Sequence, residues 1–512
     1  MAERLAPSPD HVFGPVPRVV VFSIFFYGLL VKVVLPTVAE TLGYGHGSSL
    51  TAPIITLSTL HWTIGFAPLL LLRHTAAICH PLAFPVFFDV AKELLSFPST
   101  FAALVHGDFH LFTVSHPSRS WGLSDTPFED VMKARALREG IELVAVLAFF
   151  SGYFFATRIG FRMRNATSSP CGTSISAAAI FWNVVSSLAL LSLVSTRGGL
   201  ESHLLQLTTE RFSQFENIGH HLILIKISST AALFFAAHTT NMTSFTGIAI
   251  VVYAMIAGFL ADGARSSLVY LMLLLIMVRA MYTRRLPTVT MSVAVGVALA
   301  ALGALGMIRQ DWNAERVRWE ALRFDQRDAW LDSAFSDVMR RRAEEPDVAV
   351  LARLDESGFL AGRTYLGSLL FFVPRSLWPD KPRTAGAYNN HYNFARTYVT
   401  HDFPRGWGIP VGGPTEAFWN FGWVGVLLIF AAVGATLRIL FTIAKRGGGR
   451  GCPAVLLALG LLYLNGTGDG LTRFAQHASS LVLIALTARS FHALTTNSRR
   501  AEPKRSALGS MT

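Results

Sequence analysis

Long apolar runs alternate along the chain with short polar breaks, and the runs have the length of membrane spans rather than of strands or amphipathic surface helices. An α-helix needs about 20 apolar residues to cross a bilayer core. Runs of that kind fall at 18–38, 51–72, 81–105, 141–158, 173–195, 219–238, 243–261, 266–283, 288–308, 420–442, 453–468 and 477–495. Helices are the open-chain structure that satisfies its own backbone in lipid. The pattern therefore predicts an all-α fold, a polytopic integral membrane protein with about 12 transmembrane helices.

Three of these runs carry qualifications. The first has no small-residue cleavage site and is expected to stay in place as an anchor. The run 81–105 contains Asp89, Lys92, Glu93 and three prolines, so it is expected to be broken or re-entrant. The run 453–468 is short and is expected to lengthen through Asp469 and Arg473.

Composition agrees with the pattern. Charged residues make up 15% and the mean hydropathy is +0.43, whereas soluble chains carry about 25% charge. A net charge of +12 would point to nucleic acid in a soluble protein. Here the spans assign it to cytoplasmic loops, and no nucleic-acid partner is expected. If spans alternate, Arg18, Arg73, Arg158, Arg284, Arg285, Lys445, Arg446, Arg450, Arg499 and Arg500 share one side, and both termini are cytoplasmic. The loop 106–140 then lies outside, and 127–139 reads as a helix on the outer face. If 81–105 does not cross, the N-terminal half inverts. Cys79, Cys171 and Cys452 are too few for a disulfide framework.

This divides the chain into membrane helices over 1–308, a large outer loop over 309–419, membrane helices over 420–495 and a cytoplasmic tail over 496–512. The loop has two halves. From Arg309 to Glu356, twelve acids face nine bases in a helix-like mixture, which reads as scaffold helices extending to about residue 360. From Arg363 to Glu416, six bases face three acids among prolines, glycines and aromatics. The second half, 362–419, is the candidate site.

Pro374, Pro379 and Pro382 prevent a continuous helix over 374–382. A rigid loop of this kind holds Arg375 and Lys381 where a guanidinium fork and an ammonium suit a diphosphate. Trp378 and Tyr388 offer flat faces to sugar rings. An interfacial aromatic belt with snorkelling bases accounts for the same residues. Glu416 stands where the loop re-enters the bilayer and reads either as a general base or as a helix-start carboxylate. His391 is a second candidate base, or a solvated loop histidine. Arg265 follows Asp262 by three residues, which fits a helix-end pair or a phosphate contact. Arg197, Arg211 and Arg396 are further candidate phosphate or glycan contacts. There is no zinc spacing, Walker loop, dinucleotide fingerprint or haem motif, so no metal or cofactor is expected.

The order of motifs resembles the Wzy-type oligosaccharide repeat-unit (O-antigen) polymerases of bacterial inner membranes. The likeness rests on Val373–Pro382, on the Gly-x-Thr-Tyr of Gly362–Tyr365 before it, and on the Gly-Gly-Pro-Thr-Glu-Ala-Phe-Trp-Asn-Phe-Gly-Trp-Val-Gly stretch from Gly412 to Gly425. Gly258–Leu268 and Arg197–Gly199 with Arg211 are weaker parts of it. The resemblance implies an inverting, GT-C-like glycosyltransferase with a large periplasmic loop. Its substrates would be undecaprenyl-diphosphate-linked glycans, with a chain-length co-polymerase and a flippase as partners. O-antigen ligases share the architecture, but their His-containing signature does not fit His391-Tyr392 or His401-Asp402. A twelve-span flippase or secondary transporter is the alternative from another class. It would spread its charge along spans rather than gather it in one loop.

Overall fold

The computed structural model describes residues 18–71, 79–86, 97–114, 123, 126–158, 172–209, 219–263, 265–283, 346–373, 377–389, 392 and 409–501. The described residues form helices and no strand. Six of the helices are long and apolar enough to cross a membrane, and three shorter apolar ones run beside them. The protein is a helical membrane protein.

Helix α1 (Arg18–Leu29) continues through a π-helical turn, Leu30–Val34, into α2 (Leu35–Thr41). At the turn Lys32 lies over the ring of Trp62, 5.2 Å from its centre, on α3 (Thr51–Leu71). The weak run 81–105 is represented by a turn at 79–83 and by α4 (Phe97–His106), while 87–96 lies outside the described residues. Next comes α5 (Phe128–Arg158), 31 residues long. It corrects one expectation: 127–139 is not a separate surface helix but the first turns of the span. Its charges there are tied down locally, Lys133 to Asp130 at 2.8 Å and Arg135 to the Val114 carbonyl.

Next come α6 (Gly172–Thr196), a short α7 (Leu200–Thr209) that matches no apolar run, α8 (Gly219–His238), α9 (Phe245–Asp262) and α10 (Arg265–Thr283); the other four follow the runs closely. The expected span 288–308 and the loop 309–345 lie outside the described residues. The rest of the loop carries α11 (Pro346–Ala352), α12 (Leu354–Ser357), α13 (Arg363–Leu369) and α14 (Ala385–Asn389). The chain ends in α15 (Gly413–Arg446), α16 (Gly451–Tyr463) and α17 (Gly468–Ala501). Asp469 and Arg473 belong to α17 and do not lengthen the short run before it.

The central pair is α5 with α15. Trp423 meets Gly140, Ala431 meets Gly152, and Arg438 meets Tyr153, so the two helices run the same way. A Cβ on Gly152 would strike the Ala431 carbonyl, and one on Gly434 the Phe149 carbonyl. Small residues let membrane helices approach to backbone contact, where packing replaces the absent hydrophobic drive. Two ends of the bundle follow from this pair. One gathers Phe128, Gly413, Tyr463 and the Arg265 start of α10; the other gathers His238, Met281 and Gly449, whose backbone lies against Met281.

At Gly422 (φ 62°, ψ −153°) α15 breaks. A Cβ on Gly425 would lie 2.5 Å from the Ala417 carbonyl oxygen, so the arm Gly413–Phe421 folds back along the arm that follows. Only glycine takes this backbone conformation without strain.

Candidate functional site

The folded-back arm brings its first turn to the connection between α16 and α17. Helix α16 stops at Tyr463, and Asn465 turns the chain: its Oδ1 accepts from the Thr467 amide at 3.1 Å and the Thr467 hydroxyl at 2.7 Å. Thr467 then accepts the Gly470 amide at 2.9 Å, a side-chain cap for α17. A Cβ on Gly413 would collide with the Asn465 carbonyl, so α15 begins in direct contact with this turn.

Glu416 fills the junction and is 3% exposed. Its Oε1 accepts the Thr364 hydroxyl at 2.7 Å and the Gly468 amide at 3.2 Å. Asn420, one turn on, donates to Thr364 Oγ1 at 2.9 Å and to the Glu416 carbonyl at 2.9 Å. Since Asn420 Nδ2 can only donate, the Thr364 proton must point at Glu416, and the network has a fixed direction. Tyr365 donates to the Gly466 carbonyl at 2.7 Å and stacks on Phe421. Burial, and then the Glu416 carboxylate, push the Tyr365 phenol above its ordinary range, so it stays a donor. Ser368 bonds back to the Thr364 carbonyl at 2.9 Å, and Thr472 donates to the Ser368 carbonyl at 3.3 Å. Helices α13, α15 and α17 are thus joined at one polar node.

The other expected residues lie around it unevenly. Tyr388 stacks on Tyr392 at 6.2 Å, and Tyr392 meets Trp419 edge-on, three residues from Glu416. Trp419 is fully buried and donates to the Gly358 carbonyl at 3.1 Å. Tyr388 is therefore part of a packed aromatic cluster, not a bare stacking face. Trp378 and Lys381 share one turn, the Lys381 amide donating to the Trp378 carbonyl at 3.1 Å. Lys381 Nζ donates to the Val373 carbonyl at 3.1 Å. That turn abuts α13, where a Cβ on Gly367 would lie 2.7 Å from the Pro382 carbonyl oxygen.

Arg197 sits apart from the node. Its guanidinium donates to Nδ1 of buried His203 at 3.1 Å, and His203 Nε2 reaches the Leu260 carbonyl at 2.7 Å. The two partners fix the tautomer, with the proton on Nε2. Burial first, and then Arg197, hold the His203 pKa below its ordinary value, against the opposing pull of the Leu260 bond. Arg265 opens α10 close by, but its side chain and that of Asp262 lie outside what is described. His391, Arg375, Arg396 and Arg211 lie outside the described residues.

The structure also adds residues that the sequence reading passed over. Thr364, Asn420 and the Gly468 amide complete the node. Below it His477 stacks on Tyr463 at 5.5 Å and bonds Thr230 at 2.8 Å, near enough to Lys226 and Arg473 to feel their charges. A lone lysine inside the apolar run 219–238 was the available signal, since charge within a span rarely lacks a role. Asp347 is the other addition: it accepts the Gly412 amide at 2.7 Å and lies 3.8 Å from Arg138, tying the loop to α5.

In class, this is a polytopic helical protein with a folded-back helix arm and a closed carboxylate node at one end of its bundle. No protein-family profile, no curated protein and no solved structure matches the chain.

Proposed function

We propose that the protein polymerises undecaprenyl-diphosphate-linked oligosaccharide repeat units into a surface polysaccharide, as an inverting GT-C-type glycosyltransferase of a bacterial inner membrane. The acceptor sugar's hydroxyl attacks the anomeric carbon of the lipid-linked chain. The bond from that carbon to the diphosphate oxygen breaks, and the hydroxyl proton passes to a base. Arg375 and Lys381 neutralise the departing diphosphate, and His391 is the base. The site faces the periplasm, with both termini cytoplasmic. One observation supports this reading above others. The Gly362–Tyr365 and Gly412–Trp423 stretches, the two ends of the motif set, are bonded directly through Thr364, Glu416 and Asn420. The turn that carries Lys381 leans on the same α13 helix.

In this reading Glu416 is a positioning residue. A carboxylate so deeply buried, with Oε1 taken by a hydroxyl and an amide, is built to hold α13 and α17 rather than to meet substrate. The broken α15 favours a second reading, a transporter, because interrupted helices whose ends meet inside the bundle are how transporters build their sites. Reconstitution in liposomes with a lipid-linked repeat unit separates the two. Elongation of the glycan supports the polymerase; translocation without elongation supports the transporter. Topology has its own test. Leu377, 78% exposed, and Leu494, 65% exposed, lie on opposite sides of the membrane in this reading. In a background lacking Cys171 and Cys452, an impermeant thiol reagent should label Leu377→Cys in intact spheroplasts and Leu494→Cys only after lysis. The reverse order would invert the site.

A further inference from the structure

The far end of α15 carries a feature that the polymerase reading does not use. Arg438, Phe441, Thr442, Lys445 and Arg446 line an open cleft of about 460 Å³. The positions i, i+4, i+7 and i+8 make one face of a helix, so three cations and a hydroxyl look into the same space. No carboxylate is among the described residues that line it. The last-turn pair Lys445 and Arg446 is what a helix C-terminus and a positive cytoplasmic end would select anyway. Arg438 is not explained that way. It lies eight residues before Arg446, about 12 Å further in at 1.5 Å per residue, and Ile439, Leu440, Phe441, Ile443 and Ala444 follow it.

A guanidinium so far inside an apolar segment needs a reason. The protein supplies half of one: Arg438 donates to the Tyr153 hydroxyl at 3.1 Å and lies over that ring, 5.2 Å from its centre. Tyr153 in turn is 2% exposed and fixed by Phe149 and Phe154. On the other side the His80 ring stands edge-on to Phe441 at 4.7 Å. Tyr153, a neutral hydroxyl, therefore aims Arg438 without neutralising it.

We propose that this cleft binds the phosphate of an anionic phospholipid of the leaflet at the Arg446 end. Its size suits a glycerophosphate headgroup, and basic clefts between membrane helices are where such headgroups lodge. A soluble phosphate has the same charge but no reason to enter beside Phe441 on an apolar span, whereas a lipid phosphate arrives with acyl chains that belong there. The assignment concerns the end of the bundle away from Glu416 and stands whether or not the protein is a polymerase.

The test is binding by the full-length purified protein in a neutral detergent, read by native mass spectrometry. The probes are dioctanoyl phosphatidylglycerol, dioctanoyl phosphatidylcholine and inorganic phosphate. Phosphatidylglycerol should bind saturably and at least fivefold more tightly than phosphatidylcholine. Arg438→Gln should weaken it by fivefold or more. Should that variant fail to fold, Lys445→Gln, on the last turn, should weaken it at least twofold. Unchanged phosphatidylglycerol affinity in a folded Lys445→Gln or Arg438→Gln variant would overturn the site. So would equal affinity for the two lipids. Inorganic phosphate that displaces phosphatidylglycerol at equal concentration would reassign the cleft to a soluble anion and overturn the lipid.

Discussion

At the start of α15 a carboxylate is walled in by a hydroxyl and an amide; at its other end Arg438, Lys445 and Arg446 line an open cleft. The same helix thus carries its negative charge closed and its positive charge open. A closed charge serves architecture, because every bond it accepts is to another element of the protein. At the cleft, Arg438 bonds a neutral hydroxyl, that of Tyr153, and no carboxylate stands among the described lining residues. The contrast also separates two costs. Losing a buried partner strands what it bonded, whereas at an open site water or a headgroup can take the vacated place.

Changing Glu416 should have the largest effect. Glu416→Ala leaves the Thr364 hydroxyl and the Gly468 amide without an acceptor, at about 1–3 kcal/mol for each stranded group. Folded protein and polymer should both fall to near zero in membranes probed by immunoblot and by polysaccharide gel. Glu416→Gln keeps an oxygen where Oε1 stands, so it should retain folded protein and most of the polymer. A well-folded Glu416→Gln protein that makes no polymer would show that the negative charge itself is used, and the positioning role would give way to general base.

How much of this was readable beforehand depends on distance along the chain. The runs 173–195, 219–238 and 266–283 appear as helices within a residue or two, because a span is written locally, in consecutive apolar residues. The start of α15 is legible as a junction of loop and bilayer, and Glu416 stands out there. Its partner Thr364 lies 52 residues away, and nothing in either segment names the other. The reversal at Gly422 was hidden as well: a glycine in an apolar stretch reads equally as helix packing. Asp469 and Arg473 fall in α17 instead of lengthening the run 453–468, because the Asn465–Thr467 turn interrupts an apolar run that hydropathy alone would continue. For Arg197 the sequence offered a phosphate contact, and only the fold brings His203 against it.

A pair of glycine substitutions sharpens the contrast between the ends. In Gly468→Ala the new Cβ would lie 2.6 Å from Ser368 Oγ and 2.9 Å from Glu416 Oε1. Overpacking of that kind costs about 1–3 kcal/mol, and here it also pries apart α13 and α17. Polymer should drop at least tenfold. Gly448→Ala at the basic end meets nothing within 4 Å and pays only for its positive φ of 66°, about 1–2 kcal/mol. Its polymer should stay within twofold of the unaltered protein. Equal losses of polymer in the two variants would mean that the node has no special connection to activity.

The smallest effects are expected from a matched pair of tyrosines, and they bear most directly on closed against open. Tyr365→Phe removes the donor to the Gly466 carbonyl and leaves the ring on Phe421. The loss should be about 0.5–1.5 kcal/mol, the usual net worth of one hydrogen bond. Tyr153→Phe removes the acceptor of Arg438 and leaves the ring beneath the guanidinium, so the cation–π contact survives. Arg438 then turns into the cleft, where an anion or water takes over the lost bond. The cost should stay below about 0.5 kcal/mol, the low end of that same range. Reversible unfolding in mixed micelles, titrated with a denaturing detergent, measures both. If Tyr153→Phe proves the costlier of the two, Arg438 is held by the protein alone, and the end of α15 that looks open is as closed as the end that holds Glu416.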